Sequence, residues 1–177
     1  MKANIAEQIK RISDTLPCGV TLIAVSKYHP ADAIMQAYEA GQRDFGESKA
    51  QDLVKKHDIL PDDIKWHFIG HGEKQNRRIA CLLQIHIAQE ETKFGFTPDE
   101  CMEMLSNNEW QSLKNVEIRG LMCMASNTDD ESQIADEFSK VQMLFNKIKE
   151  KFFAGNDSFN ILSAGMSDDY PIAIKFG

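Results

Sequence analysis

The chain has 177 residues, 42% of them hydrophobic, and a formal net charge of −7. That is enough for one domain with a sizeable core. The acidic balance, with no basic cluster interleaved with aromatics, argues against nucleic acid or an anionic membrane as the main partner. No apolar run approaches the ~20 residues of a membrane span. Met1 to Glu7 contains no apolar run of the kind a signal peptide needs. Cys18, Cys81, Cys101 and Cys123 are widely spaced and form no C-x-x-C pair. A reduced, cytoplasmic protein is expected, with these cysteines as small core hydrophobes.

In chain order, Ile5, Ile9, Ile12 and Leu16 recur at helical spacing and predict an amphipathic helix ending before Pro17. The run Val20 to Lys27, rich in Val, Ile and Thr, predicts a buried strand. Pro30 suits the first turn of a helix whose stripe is Ala33, Ile34, Ala37 and Tyr38, and Gly41 ends it. Arg43 to Glu47 reads as a short strand, followed by a helix from about Ser48 to His57 with Ala50, Leu53 and Val54 inward. Ile64 to His71 is the next strand. This alternation predicts a parallel sheet with helical crossovers. It breaks at Gly72 to Arg78, a short polar stretch before the apolar run Ile79 to Ala88. Parallel neighbours need a crossover of a dozen or more residues. The two flanking strands are therefore antiparallel, not adjacent, or separated by something missing. Thr97-Pro98-Asp99-Glu100 is a helix start, with Met102 and Leu105 inward. Asn115 to Ala125 reads as a strand, and a long helix runs from Thr128 to about Phe153. Phe159 to Ser167 is a last strand with its loop, before a short helix at Asp168 to Ile174.

Lys27 ends the first apolar strand, and the C-terminal strand ends of a parallel α/β fold are where sites are built. There an amine can be partly desolvated and form a Schiff base with a carbonyl. The bland alternative is a lysine that snorkels to solvent. His67 and His71 lie ~13 Å apart if both are on a strand, too far to share one metal ion. His71 can still line a pocket, and His86 reads as a hydrogen-bonded core histidine. Phe45-Gly46-Glu47-Ser48 is a Gly turn, where a ligand can approach the backbone closely or Ser48 can cap a helix. Ser163 to Asp169 leads small residues into a helix start, a place for phosphate or carboxylate. Asp168 and Asp169 would repel an anion, so Ser167 and the amides would have to dominate. A Schiff-base lysine and an anion-holding turn on one rim suggest an aldehyde carrying a phosphate.

The segments Leu22 to Lys27, Phe45-Gly46-Glu47, Trp66 to His71, Lys93 to Phe96, Arg119 to Met122 and Gly165 to Tyr170 carry a resemblance. The chain resembles the pyridoxal phosphate homeostasis proteins, which share the TIM-type (β/α)₈ barrel of the alanine racemase N-terminal domain. A bacterial source is expected. The resemblance implies pyridoxal 5'-phosphate held as an aldimine on Lys27, with Ser48, His71, Met166 and Ser167 as further cofactor-binding residues. The position of Ser48 is often Asn in the family. The implied role is vitamin B6 homeostasis without catalytic turnover. Alternatives are a pyridoxal-phosphate-dependent racemase, with His71 the one nearby acid–base candidate, and a Schiff-base aldolase.

The chain departs from the family after His71 and after Ile174. About six strands are counted where the barrel needs eight, the fourth and eighth being absent. The expectation is a single barrel domain over residues 1–177, with a gap or deletion near 71–72 and a shortened end near 174–177. An open six-strand sheet would expose unpaired edges, which favours residues skipped in the sequence as read over a true deletion. A monomer is expected, or association through exposed edges if the barrel is truly incomplete.

Overall fold

The computed structural model describes residues 4–70, 79–90 and 94–177. They fall in two compact units, Met1–Lys74 and Gln75–Gly177, each with its own core. The first unit runs α1 (Ile5–Ser13), β1 (Ala24–Val25), α2 (Ala31–Glu39), β2 (Asp44–Glu47), α3 (Ala50–His57) and β3 (Lys65–Phe68). Its strands form one parallel sheet in the order β1-β2-β3. Ile34 and Ala37 of α2 pack with Phe45, Leu60 and Ile64, and Ala24 and Trp66 join them. Full burial of Ile34 and Phe45 contributes on the order of 1.5–3 kcal/mol each.

Two expectations need correction here. The first strand is two residues long, not eight, because β2 begins only at Asp44 and offers no earlier ladder partner. Instead the Gln42 side-chain amide donates to the carbonyls of Leu22 (2.7 Å) and Asp44 (2.6 Å). Helix α3 starts at Ala50 with Lys49 at its N-cap, so Ser48 does not cap it. Its inward positions are Leu53 and Lys56, while Ala50 and Val54 are exposed.

The second unit runs β4 (Ile79–Ile85), α4 (Pro98–Ser106), a 3₁₀ turn (Glu109–Ser112), β5 (Val116–Cys123), α5 (Glu131–Phe152), β6 (Ile161–Ser163) and α6 (Tyr170–Ala173). Its parallel sheet has the order β4-β5-β6. Among the described residues β3 pairs with β2 and β4 pairs with β5. Helix α5 buries Ile134, Phe138, Val141, Leu144 and Ile148 against Ile118 and Leu121 of β5. Phe159 stacks between Phe153 (4.4 Å between centroids) and Phe145 (4.9 Å). Cys101 and Cys123 are buried as expected, but Cys18 is exposed because it lies in the turn between α1 and β1.

Candidate functional site

Lys27 sits in the turn just beyond β1, and its side chain is exposed. It does not enter the apolar core. The turn closes with a bond from the His29 N–H to the Ser26 carbonyl (3.0 Å). Tyr28, at its third position, has φ +67°, a left-handed conformation that turns normally give to Gly or Asn. Ser26 is buried, and both its N–H (2.8 Å) and its hydroxyl (3.1 Å) donate to the Gly46 carbonyl. The tip of β1 is thereby fastened to β2.

Glu47 ends β2 with only 1% of its surface exposed. One carboxylate oxygen pairs with the Lys56 ammonium, and the other accepts the Ser48 N–H at 3.1 Å. Lys56 also donates to the Ser26 carbonyl at 3.1 Å. Ser48 is half-buried, and its carbonyl lies 2.0 Å from where a Cβ on Gly70 would be. Only glycine allows this approach at the end of β3. Lys27 and Ser48 therefore stand at the tips of paired strands, as expected. His71 lies outside the described residues.

Met166 and Ser167 are in the second unit, in the loop between β6 and α6, and both are exposed. The Met166 N–H donates to the carboxylate of Asp169, which is buried. The expected anion-holding turn is thus already partly filled by an acid of its own chain, and the Met166 amide is committed. The exposed Ser167 hydroxyl is the group there that suits an anion.

Two buried carboxylates were missed as organisers of strand tips. Glu137 on α5 accepts from the Ser126 N–H (2.6 Å), the Ser126 hydroxyl (2.7 Å) and Gln133 (3.0 Å). The Gln89 N–H in turn donates to the Ser126 hydroxyl at 2.9 Å. Glu47 with Lys56 plays the same part in the first unit. The signal available was an acid or lysine at an inward helix position, which the assignment of Val54 to the inward face of α3 concealed. Burial pushes the Cys123 thiol up to about 12, with Asp169 and Glu137 adding to the effect, and Cys101 to about 11. Neither is a nucleophile at neutral pH. His86 is half-buried, and its Nε2 lies 3.1 Å from the Glu90 carbonyl, the hydrogen-bonded role expected of it. His67 pairs with Asp44 at 2.9 Å. Among the described residues no three His, Cys, Asp or Glu side chains are grouped to hold a metal ion.

No family model matches the sequence. A pyridoxal phosphate homeostasis protein of Schizosaccharomyces pombe is 32% identical over 194 aligned positions, which cover 89% of this chain and 78% of the yeast protein. The chain belongs to the pyridoxal phosphate homeostasis protein family. A Helicobacter pylori member is also 32% identical, over 89% of this chain and 82% of its own. With members in a yeast and a bacterium, membership leaves the expected bacterial source open. Among solved structures, PipY of Synechococcus elongatus, without pyridoxal phosphate, matches at a TM-score of 0.83 and 29% identity, covering 98% of this chain and 94% of PipY. PipY with pyridoxal phosphate bound matches at 0.81 and 28% identity, with the same coverage. Alanine racemase of E. faecalis, at 16% identity and a TM-score of 0.63, covers 80% of this chain and 48% of its own, and shows a shared fold alone. The family fold is accordingly a TIM-barrel-like parallel α/β type. The aligned stretch with the yeast protein is longer than this whole chain, so that relative carries residues within it that have no counterpart here.

Proposed function

We propose that this chain binds pyridoxal 5'-phosphate in the cytoplasm and serves vitamin B6 homeostasis without turning a substrate over. The observation that carries this reading is the placement of Lys27, exposed at the C-terminal tip of β1, in a chain similar to a PipY structure with pyridoxal phosphate bound. Lys27 would hold the group through its amine. In the first unit Ser48 lines the approach to Lys27; in the second unit, taken by itself, the exposed Ser167 hydroxyl suits an anion such as phosphate. Pyridoxal phosphate, when bound, supplies an electrophilic aldehyde. In this reading Lys27 and Ser48 serve to hold it, whereas racemisation would need a paired acid and base. The racemase alternative rests on likeness of fold alone.

The fold belongs to the same reading. The residues that the yeast relative carries without counterpart here support a gap or deletion relative to that protein, which the sequence places near 71–72.

The test is a spectroscopic titration with pyridoxal phosphate, wild type against Lys27→Ala, followed by borohydride reduction and peptide mapping. The expected result is a Schiff-base absorbance in the wild type, lost in the variant, with the reduced label on Lys27. Label spread over other lysines, or turnover of either alanine enantiomer by the loaded protein, would overturn the reading.

A further inference from the structure

We propose that Lys56 is a positioning residue for Lys27, acting through the Ser26 carbonyl; this rests on the binding role of Lys27 proposed above. Lys56 lies on α3 and, in this reading, does not contact the ligand. Its side chain is 13% exposed, and its ammonium holds two groups at once: the buried carboxylate of Glu47 and the carbonyl of Ser26, the residue before Lys27. That carbonyl also accepts the His29 N–H that closes the turn. The turn carries a bulky residue, Tyr28, at φ +67°, with its side chain 81% exposed. A left-handed tyrosine costs energy and persists only where its surroundings over-determine it.

Among the described residues the surroundings are the two Ser26 bonds to Gly46, the His29 N–H, Lys56, and Lys49 at the N-cap of α3, whose ammonium lies 5.9 Å from the Tyr28 ring centroid. The first three come from the backbone or from Ser26 itself; Lys49 lies over the exposed ring, whereas Lys56 reaches in from α3 to the backbone of the turn. Through Glu47 the same ammonium fixes the carboxylate that receives the Ser48 N–H. One buried ion pair therefore sets the backbone at the tips of both β1 and β2, and so orients the residue that captures the aldehyde. A lysine suits this task better than a neutral donor, because it satisfies a carboxylate that would otherwise be buried without a countercharge.

The experiment compares wild type, Lys56→Arg, Lys56→Met and the double variant Glu47→Gln/Lys56→Met, the last because it leaves no unpaired buried carboxylate if Lys56→Met alone fails to fold. Amide hydrogen exchange is read at His29 and Ser48 against α2, and borohydride-trapped pyridoxal phosphate is mapped to individual lysines. Expected is exchange about tenfold faster at His29 and Ser48 with α2 unchanged, a matching fall in label on Lys27, and recovery of both in Lys56→Arg. Unchanged exchange at His29 and Ser48 in a folded variant overturns the inference. So does faster exchange with undiminished labelling of Lys27. Absence of label on Lys27 in the wild type overturns the binding reading instead, and exchange then decides alone whether Lys56 holds the turn.

Discussion

Gly120 has no room for a side chain. A Cβ there would stand 1.7 Å from the Ile161 carbonyl, on the neighbouring strand β6. The position falls where β5 shifts register against β4, between Cys81 and Leu82. Backbone must move to admit even a methyl group, so Gly120→Ala is expected to destabilise by about 3 kcal/mol, read as a lower midpoint in urea unfolding. The thiols divide just as sharply. Cys101 and Cys123 are buried with raised pKa values, whereas Cys18 is exposed. A thiol reagent applied to the folded protein at about pH 8 is expected to modify Cys18 first and to spare the buried pair until unfolding. Mass spectrometry of the labelled peptides checks this.

At the scale of the element, helix ends are where local sequence acts most directly. Thr97 caps α4 in a reciprocal box with Glu100: the Glu100 N–H donates to the Thr97 hydroxyl, and the Thr97 N–H donates to the Glu100 carboxylate at 2.8 Å. Thr97→Ala is expected to cost about 1 kcal/mol in thermal or urea unfolding. The hydrogen bond from the Thr97 backbone holds the Glu100 carboxyl below its usual value. In the first unit, Asp63 is lowered chiefly by the hydrogen bond from the Tyr38 hydroxyl (2.8 Å), with Arg43 at 2.9 Å adding to it. A carboxyl lowered in the folded state binds its proton more readily when unfolded. Its contribution is complete above the ordinary carboxylate values and is lost as pH falls through the lowered ones. Stability measured from pH 6 downward, about the lower edge of that plateau, is expected to fall less steeply in Asp63→Asn than in wild type. Both carboxyls are exposed, so the effect is small.

Two cores sustain the whole molecule, one in each unit. In the second, Phe159 is fully buried and stacks on both Phe145 and Phe153, and Trp110 in turn lies 5.2 Å from Phe153. Phe159→Ala removes the centre of that stack and is expected to cost on the order of 3–5 kcal/mol in urea unfolding. Among the described residues each sheet has three strands, with β2 between β1 and β3 in the first unit and β5 between β4 and β6 in the second. The helix between two parallel strands buries one face of the sheet, and the strand tips gather the loops that carry function. Lys27 and Ser48 follow β1 and β2 in the first unit, and Ser167 follows β6 in the second.

The sequence by itself determined the order and kind of the elements, and it named the residues of the proposed site. Periodicity marks α2 and α5 because their buried faces repeat every three to four residues, and Thr97-Pro98 marks the start of α4 because its capping atoms are neighbours in the chain. Tertiary structure alone decided how much of Val20 to Lys27 became strand, since a strand lasts only as long as its partner, and β2 is short. It also decided which side of α3 faces inward. Ala50, Leu53 and Val54 give a plausible apolar stripe, but Glu47 needs a countercharge, and that requirement turns Lys56 toward the sheet. Hydrogen bonds between groups nine, eleven or thirty residues apart, such as Lys56 to Glu47, Ser126 to Glu137 and Lys56 to Ser26, leave no local pattern. They exist only once the chain has brought strand tips and helices together.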